Sequence, residues 1–574
     1  MKRIILIIAC FLVVNSSKAQ KVGIGTTTPA FKLDVKNGSI NTDSLYRIDG
    51  NAVLSVKGTE NTFTGINSGF SNVSGIYNTA NGFHSLYSNT NGDENSAFGH
   101  SALFSNTTGF RNTAIGRYAL RLNTSGNYNS ALGFSALSFN TTGSNNTANG
   151  TYSLFSNITG DDNTAFGSSA LRSNTTGSFN VANGKLALYS NTTGMENTAS
   201  GVQALYSNIT GSANTANGKA ALLSNSSGSN NTANGYMSLY SNTTGNDNAA
   251  TGFQALYSNT MGFSNTANGK MALYSNTTGG ANSATGEGSL FFNTTGNNNS
   301  ATGYAALFSN STGALNTSAG HSSLYNNNSG NYNTANGGFA LLANTSGGEN
   351  TAIGAYAMQN TNTSFGNTAL GYRAGSSNNN GYYNTFLGSD ANSTGAGFYN
   401  SIAIGNTSRV TAPLQVRIGG SFIESIGGYQ NWTNISDGRY KKNIREDVKG
   451  LDFILRLRPV TYNLDIAGIS NKLNESPGTG TDKLMAKSIE EKGRTIFSGF
   501  VAQEVEQVAK ETGYDFSGVD KPENANDFYG LRYAEFVVPL VKAVQEQQIL
   551  IRDMQKKIEL QQEQINQLLL LQKK

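Results

Sequence analysis

Residues 435 to 447 read ISDGRYKKNIRED, which places Ser436 and Lys441 five positions apart in a short, charged stretch. A serine hydroxyl attacks a carbonyl only when a base removes its proton, and a lysine can do so when it is desolvated enough to be neutral. The chain has three histidines, His84, His100 and His321, and a single cysteine, Cys10. Neither type occurs after His321, so a Ser-His-Asp triad and a cysteine nucleophile are both excluded from the C-terminal part. Acyl chemistry there would need Ser or Thr as nucleophile and Lys or a carboxylate as base. The residue types alone leave two readings open, a Ser-Lys dyad or a solvated basic turn, because Ser and Lys at this spacing also recur by chance.

What must position this stretch is unusual. The chain has 574 residues, 67 of them Gly and 6 Pro, with only 13% charged residues. Ordinary globular domains carry roughly a quarter, so one average enzyme fold is excluded. The net charge of +4 argues neither for nor against nucleic acid, and no nucleic-acid partner is expected. From Gly65 to Gly405 a glycine recurs at every seventeenth position without a miss, and a second series with the same period runs from Gly58 to Gly347. Leucine keeps this beat from Leu103 to Leu341, and asparagine from Asn112 to Asn350. The unit is approximately G-x-x-N-T-A-x-G-x-x-A-L-x-S-N-T-T.

Gly, Asn, Thr and Ser are poor in helix interiors. The short NTAxG and xALxS pieces therefore predict two or three brief strands per unit, turned at Gly and Asn-Thr. One unit cannot bury its Ala and Leu alone, but stacked units can. The fold class expected is an all-β, parallel β-roll solenoid of 17-residue coils. A disordered low-complexity tract would not need Gly and Leu in unbroken register. The many N-x-S/T triplets follow automatically from the repeated SNTTG. Asp is sparse and out of register, so no metal is expected, and no cofactor. The three histidines fall at different repeat positions and read as surface variation.

The N-terminal MKRIILIIACFLVVNSSKAQ has a basic start, an apolar run from Ile4 to Val14 and a small-x-small ending. It predicts a secretory signal peptide over residues 1–19, hence a secreted or cell-surface protein; the run is too short to span a bilayer. Residues 20–57 read as an N-terminal β cap, 58–405 as the repeats and 406–435 as a β neck. At Ser436 the composition changes, and residues 436–574 read as a small α+β domain. Its end is a coiled coil over about 537–572. Leu540, Val544, Gln547, Ile551, Met554, Ile558, Gln561, Ile565 and Leu568 follow alternating steps of four and three. Ile at the a positions permits a trimer.

The repeat array resembles the head repeats of trimeric autotransporter adhesins, which are left-handed β-rolls. The unit here is longer, and no membrane barrel follows, so self-anchoring of that kind is not expected. The C-terminal part carries SDGRYKKNI, LRPVTYNL, GFVAQEVEQV and YAEFVVPLVKAVQE in order. In this it resembles the intramolecular chaperone of endosialidases and phage tail fibres, the peptidase S74 family. That resemblance implies a domain that helps three chains trimerise and then cuts itself off. It implies Ser436 as nucleophile, Lys441 as general base, the Ile435–Ser436 bond as the cleavage site, and Asp437 and Arg439 as support of the loop. Residues 471–494 depart from the pattern and read as a flexible insertion. The expected protein is an exported, homotrimeric, adhesin-like fibre with a self-cleaving chaperone, its surface or glycan receptor unknown. The rivals are a fibre that never cuts and a solenoid that binds a glycan or ice.

Overall fold

The computed structural model describes residues 22–24, 33–35, 45–48, 50–475 and 482–573. The expected signal peptide lies outside them. The repeats form a long parallel β-solenoid with 17-residue turns, and the chain divides into two compact units, residues 1–214 and 215–574.

Residues 249–265 show how one coil works. Ala249–Thr251 is its strand and pairs in parallel, residue for residue, with Thr232–Asn234 before it and Thr266–Asn268 after it. The middle alanine of each strand faces inward, so Ala250 is fully buried, together with Ala255, Leu256, Asn259 and Asn265. The expected second strand is absent from the coil. Its ALYS piece is a turn in which Leu256 takes a left-handed backbone with φ of 53°. That conformation costs about 1–2 kcal/mol in a non-glycine residue. Burying the leucine returns about 1.5–3 kcal/mol, and the turn keeps its ladder bonds, with the Leu256 N–H on the Ala272 carbonyl at 2.9 Å. Gly252 is needed twice over. Its φ is 133°, and an added Cβ would lie 2.5 Å from the Gly269 carbonyl oxygen of the next coil.

The asparagines were expected at turns; they are buried inside the coils instead. Asn259 donates to Asn242 Oδ1 at 2.8 Å and to the Gly262 carbonyl at 3.0 Å. Asn265 donates to Asn248 Oδ1 and to the Gly279 carbonyl, the latter at 2.8 Å. Asn259 thus satisfies a carbonyl of its own coil and Asn265 one of the next, as buried polar atoms require. Asn106 and Asn123 of the first unit, which head N-x-S/T triplets, sit in an equivalent ladder with both amide protons used. The folded array offers no glycan acceptor at those positions.

In the first unit, Leu45–Ile48 and Asn51–Ser55 form an antiparallel hairpin, and the second of these strands closes the end of the first coil by pairing with Thr62–Thr64. His84 and His100 lie in a surface row of rings with Phe83. Burial, and then the charge of His100, hold the His84 pKa below its ordinary value. In the second unit, His321 stacks on Tyr304. There six half-buried rings, Tyr240, Tyr257, Tyr274, Phe291, Phe308 and Tyr325, stack on consecutive coils with centroids 5.0–5.1 Å apart. Such pairs add about 0.5–1.5 kcal/mol each to coil stacking.

The regular step ends at Ile402–Ile404, whose partner Val416–Ile418 comes after a shorter step, with Ile402 paired to Val416. Among the described residues no strand follows until Val460–Tyr462, so the expected β neck is strand only in its first half. A small region of helices and antiparallel strand pairs comes next. Its core gathers Phe453, Val505, Ala509, Phe516 and Phe536. The chain ends in a 36-residue helix, Val537–Gln572, of which only Pro539 and Ala543 are buried. The heptad residues Leu540, Val544, Ile551, Met554, Ile558, Ile565 and Leu568 are all exposed. Among the described residues, no helix is long and apolar enough to cross a membrane.

Candidate active site

Ser436 and Lys441 are brought together by one short turn. Asp437 caps a 3-10 turn, Gly438–Tyr440, by accepting a hydrogen bond from the Arg439 N–H at 2.9 Å. The Arg439 guanidinium also closes back on the same carboxylate at 2.5–3.1 Å, a forked, charge-assisted contact. That hydrogen bonding holds the Asp437 carboxyl below its ordinary value and raises Arg439. The Lys441 N–H then bonds the Gly438 carbonyl at 3.2 Å. The turn carries the lysine back over the residue five before it, with Nζ 2.8 Å from Ser436 Oγ. This distance lies within the reach required of a nucleophile and its base. Ser436 and Lys441 are exposed in the single chain, and Ile435 is 93% exposed. The turn thus unites the pair that the spacing singled out, with both supporting residues beside it.

A second polar cluster had no sequence signal. It joins the last coils to the C-terminal region. Arg409 donates to the Leu473 and Asn474 carbonyls at 3.2 and 3.3 Å. Glu475 accepts from the Ser421 N–H at 3.1 Å and from its hydroxyl at 2.5 Å. Asp527 accepts from the Thr411 hydroxyl, and from Gln415 Nε2 at 3.3 Å. Residues 471–494, expected to be a flexible insertion, include the end of one helix, Ile466–Lys472, and the whole of another, Asp482–Gly493. Lys492, at the end of the second, donates to the Ser421 carbonyl at 2.6 Å.

Burial raises the pKa of Glu475 and lowers that of Arg409. For Asp527 burial acts upward, but the donors from Thr411, Glu523, Phe528 and Gln415 together outweigh it and hold the carboxyl low. A depressed folded-state value stabilises above the ordinary aspartate range, about pH 4, and that contribution is lost as pH falls through the depressed value. Glu475 works in the opposite sense: its ionisation opposes docking as pH rises past the ordinary glutamate range. Asp527→Ala orphans donors that each cost about 1–3 kcal/mol when buried unpaired. Hydrogen exchange of residues 409–415 is expected to quicken at least tenfold, with coil 249–265 unchanged. Unaltered exchange at 409–415 would show that Asp527 does not hold the junction.

Among the described residues no group of His, Cys, Asp and Glu could hold a metal ion. The fold and this turn together define a β-solenoid protein with a compact C-terminal region that carries a Ser-Lys contact at its first residue. Residues 436–514 match the family model described as the chaperone of endosialidase, peptidase S74, and the match begins at Ser436. No curated protein matches the chain.

Proposed function

We propose that this chain is an exported, trimeric, adhesin-like fibre whose region from Ser436 onward assembles three chains and then detaches itself. The observation that carries the reading is the 2.8 Å contact between Lys441 Nζ and Ser436 Oγ, at the first residue matched by the chaperone family. The neutral lysine takes the hydroxyl proton, and Oγ attacks the Ile435 carbonyl carbon. The Ile435–Ser436 C–N bond breaks as the lysine returns the proton to the leaving nitrogen, and Ile435 is left as an ester on Ser436. Water then hydrolyses the ester, giving a carboxylate at Ile435 and restoring the hydroxyl. A neighbouring chain that covers the exposed loop would exclude water and favour the neutral amine, so cutting follows assembly.

The test is the mass of freshly folded protein. Cleavage yields a fragment that runs from Ser436 to Lys574. A chain that folds, trimerises and stays whole overturns the self-cleavage reading and leaves the non-cleaving fibre.

Assembly has its own expected result. The helix Val537–Gln572 exposes its heptad seam along its whole length, and a lone helix with such a seam needs partners. Replacing Ile551, Ile558 and Ile565 together by Asn is expected to convert trimers to monomers in sedimentation. An unchanged trimer, folded to the same yield, would mean that another surface sets assembly.

A further inference from the structure

Between the last coil and Ser436 the chain reads IESIGGYQNWTNI, residues 423–435. Ile423, Ile426, Tyr429, Trp432 and Ile435 fall at every third position, and each residue between them is polar or glycine. All five are exposed, at 40, 63, 106, 88 and 93% respectively, and the segment holds no strand or helix. A sheet face needs a period of two and a helix face a period of 3.6. A period of three suits an extended chain with three residues per turn, which carries all its apolar side chains along one edge.

We infer that this segment is an interaction surface for two further copies of itself, the three chains winding about one axis with every third residue on it. The inference rests on the trimeric reading above and adds where, and in what register, the chains first meet. Copies of the chain are the favoured occupant for two reasons. A single edge repeated three times closes on itself by symmetry and leaves nothing unpaired. The segment also lies on the same chain as the unpartnered helix seam, and its only charge, Glu424, gives a foreign partner no charge pattern to recognise.

The arrangement bears on the cleavage site. Ile435, the last residue on the axis, supplies the carbonyl that Ser436 would attack. Winding fixes that carbonyl beside the hydroxyl, whereas in a single chain Ile435 and Ser436 are both exposed to water.

The chain has no cysteine after Cys10, which allows a clean test. In full-length protein carrying Cys10→Ser and Ser436→Ala, single cysteines are placed on the axis by Ile426→Cys or Tyr429→Cys, and off it by Ser425→Cys or Gln430→Cys. Each protein is sedimented, then oxidised and run on a denaturing gel. The on-axis variants are expected to give at least fivefold more disulfide-linked dimer, with the third chain left over as monomer. Loss of the trimer in Tyr429→Cys but not in Gln430→Cys also supports the inference. Equal cross-linking of all four in samples that sediment as trimers overturns it and leaves the trimeric reading standing. If the parent without added cysteine sediments as a monomer, the trimeric reading falls and this inference with it.

Discussion

Ser436→Ala is expected to leave the chain uncut but still trimeric, and Lys441→Ala to do the same. The two single variants and the double variant are expected to lose cleavage to the same degree, because a nucleophile and its base act as one unit. Lys441→Arg is the sharper probe. It keeps the positive charge and a long side chain, but a guanidinium does not give up its proton in a protein, so it is expected to be as inactive as alanine. A merely structural lysine would tolerate that exchange. Asp437→Asn tests the support separately: it weakens the fork to Arg439 and is expected to slow cutting without abolishing it. The measurement is the fraction of full-length chain over time after folding, by denaturing gel, with sedimentation as the control for assembly. Release of the 436–574 fragment from Ser436→Ala would rule out Ser436 as the nucleophile.

Asn299→Ala is expected to be as damaging as emptying a leucine site in the core. Asn299 donates to Asn282 Oδ1 at 3.1 Å and to the Gly313 carbonyl at 2.8 Å, and its own Oδ1 accepts from the backbone N–H and the side chain of Asn316. Alanine leaves the Asn316 backbone N–H and one of its side-chain amide protons buried without their acceptor, whereas the Gly313 carbonyl keeps the donor from Asn310 at 2.9 Å. At about 1–3 kcal/mol for each orphaned group, the loss is on the order of 4 kcal/mol, inside the range of about 2–5 kcal/mol for Leu to Ala in a core. Thr302→Ala, at an exposed strand position of the next coil, serves as control and is expected to stay within about 0.5 kcal/mol. Because coils depend mainly on their neighbours, the damage should appear as faster hydrogen exchange confined to residues near Asn299. If Asn299→Ala and Thr302→Ala behave alike, the ladder does not hold the coils together.

The period was legible because glycine and leucine cannot drift from it. Gly252 needs its φ and the space beside Gly269, and Leu256 needs the interior. The inside of the coil was only half legible. Asparagine reads as a turn residue, and nothing local tells that Asn265 is buried and bonded to the neighbouring coils on either side; only stacking creates those partners. The left-handed Leu256 was hidden for the same reason, since its cost is met in part by a bond to Ala272 in the next coil. At the candidate site, the spacing of Ser436 and Lys441 gave the pair, and the family motif gave it meaning. The capping of the turn by Asp437 is local chemistry that the sequence does carry. The junction joins Glu475 to Ser421 and Asp527 to Gln415, far apart along the chain and without a repeat to announce them.

From Thr215–Asn217 to Ile402–Ile404 neighbouring strands keep one register: Ala250 lies beside Ala233 and Ala267, as Ala335 lies beside Ala352. Such a stack is modular in whole coils. Adding or deleting one complete coil changes the length of the shaft by one strand spacing, about 4.8 Å, and reproduces every contact at the seam. An insertion one residue shorter or longer than a coil turns an alanine outward, sets a threonine in the core and breaks both asparagine ladders at once. The stack can therefore change in length only in whole steps, by duplication or loss of entire coils.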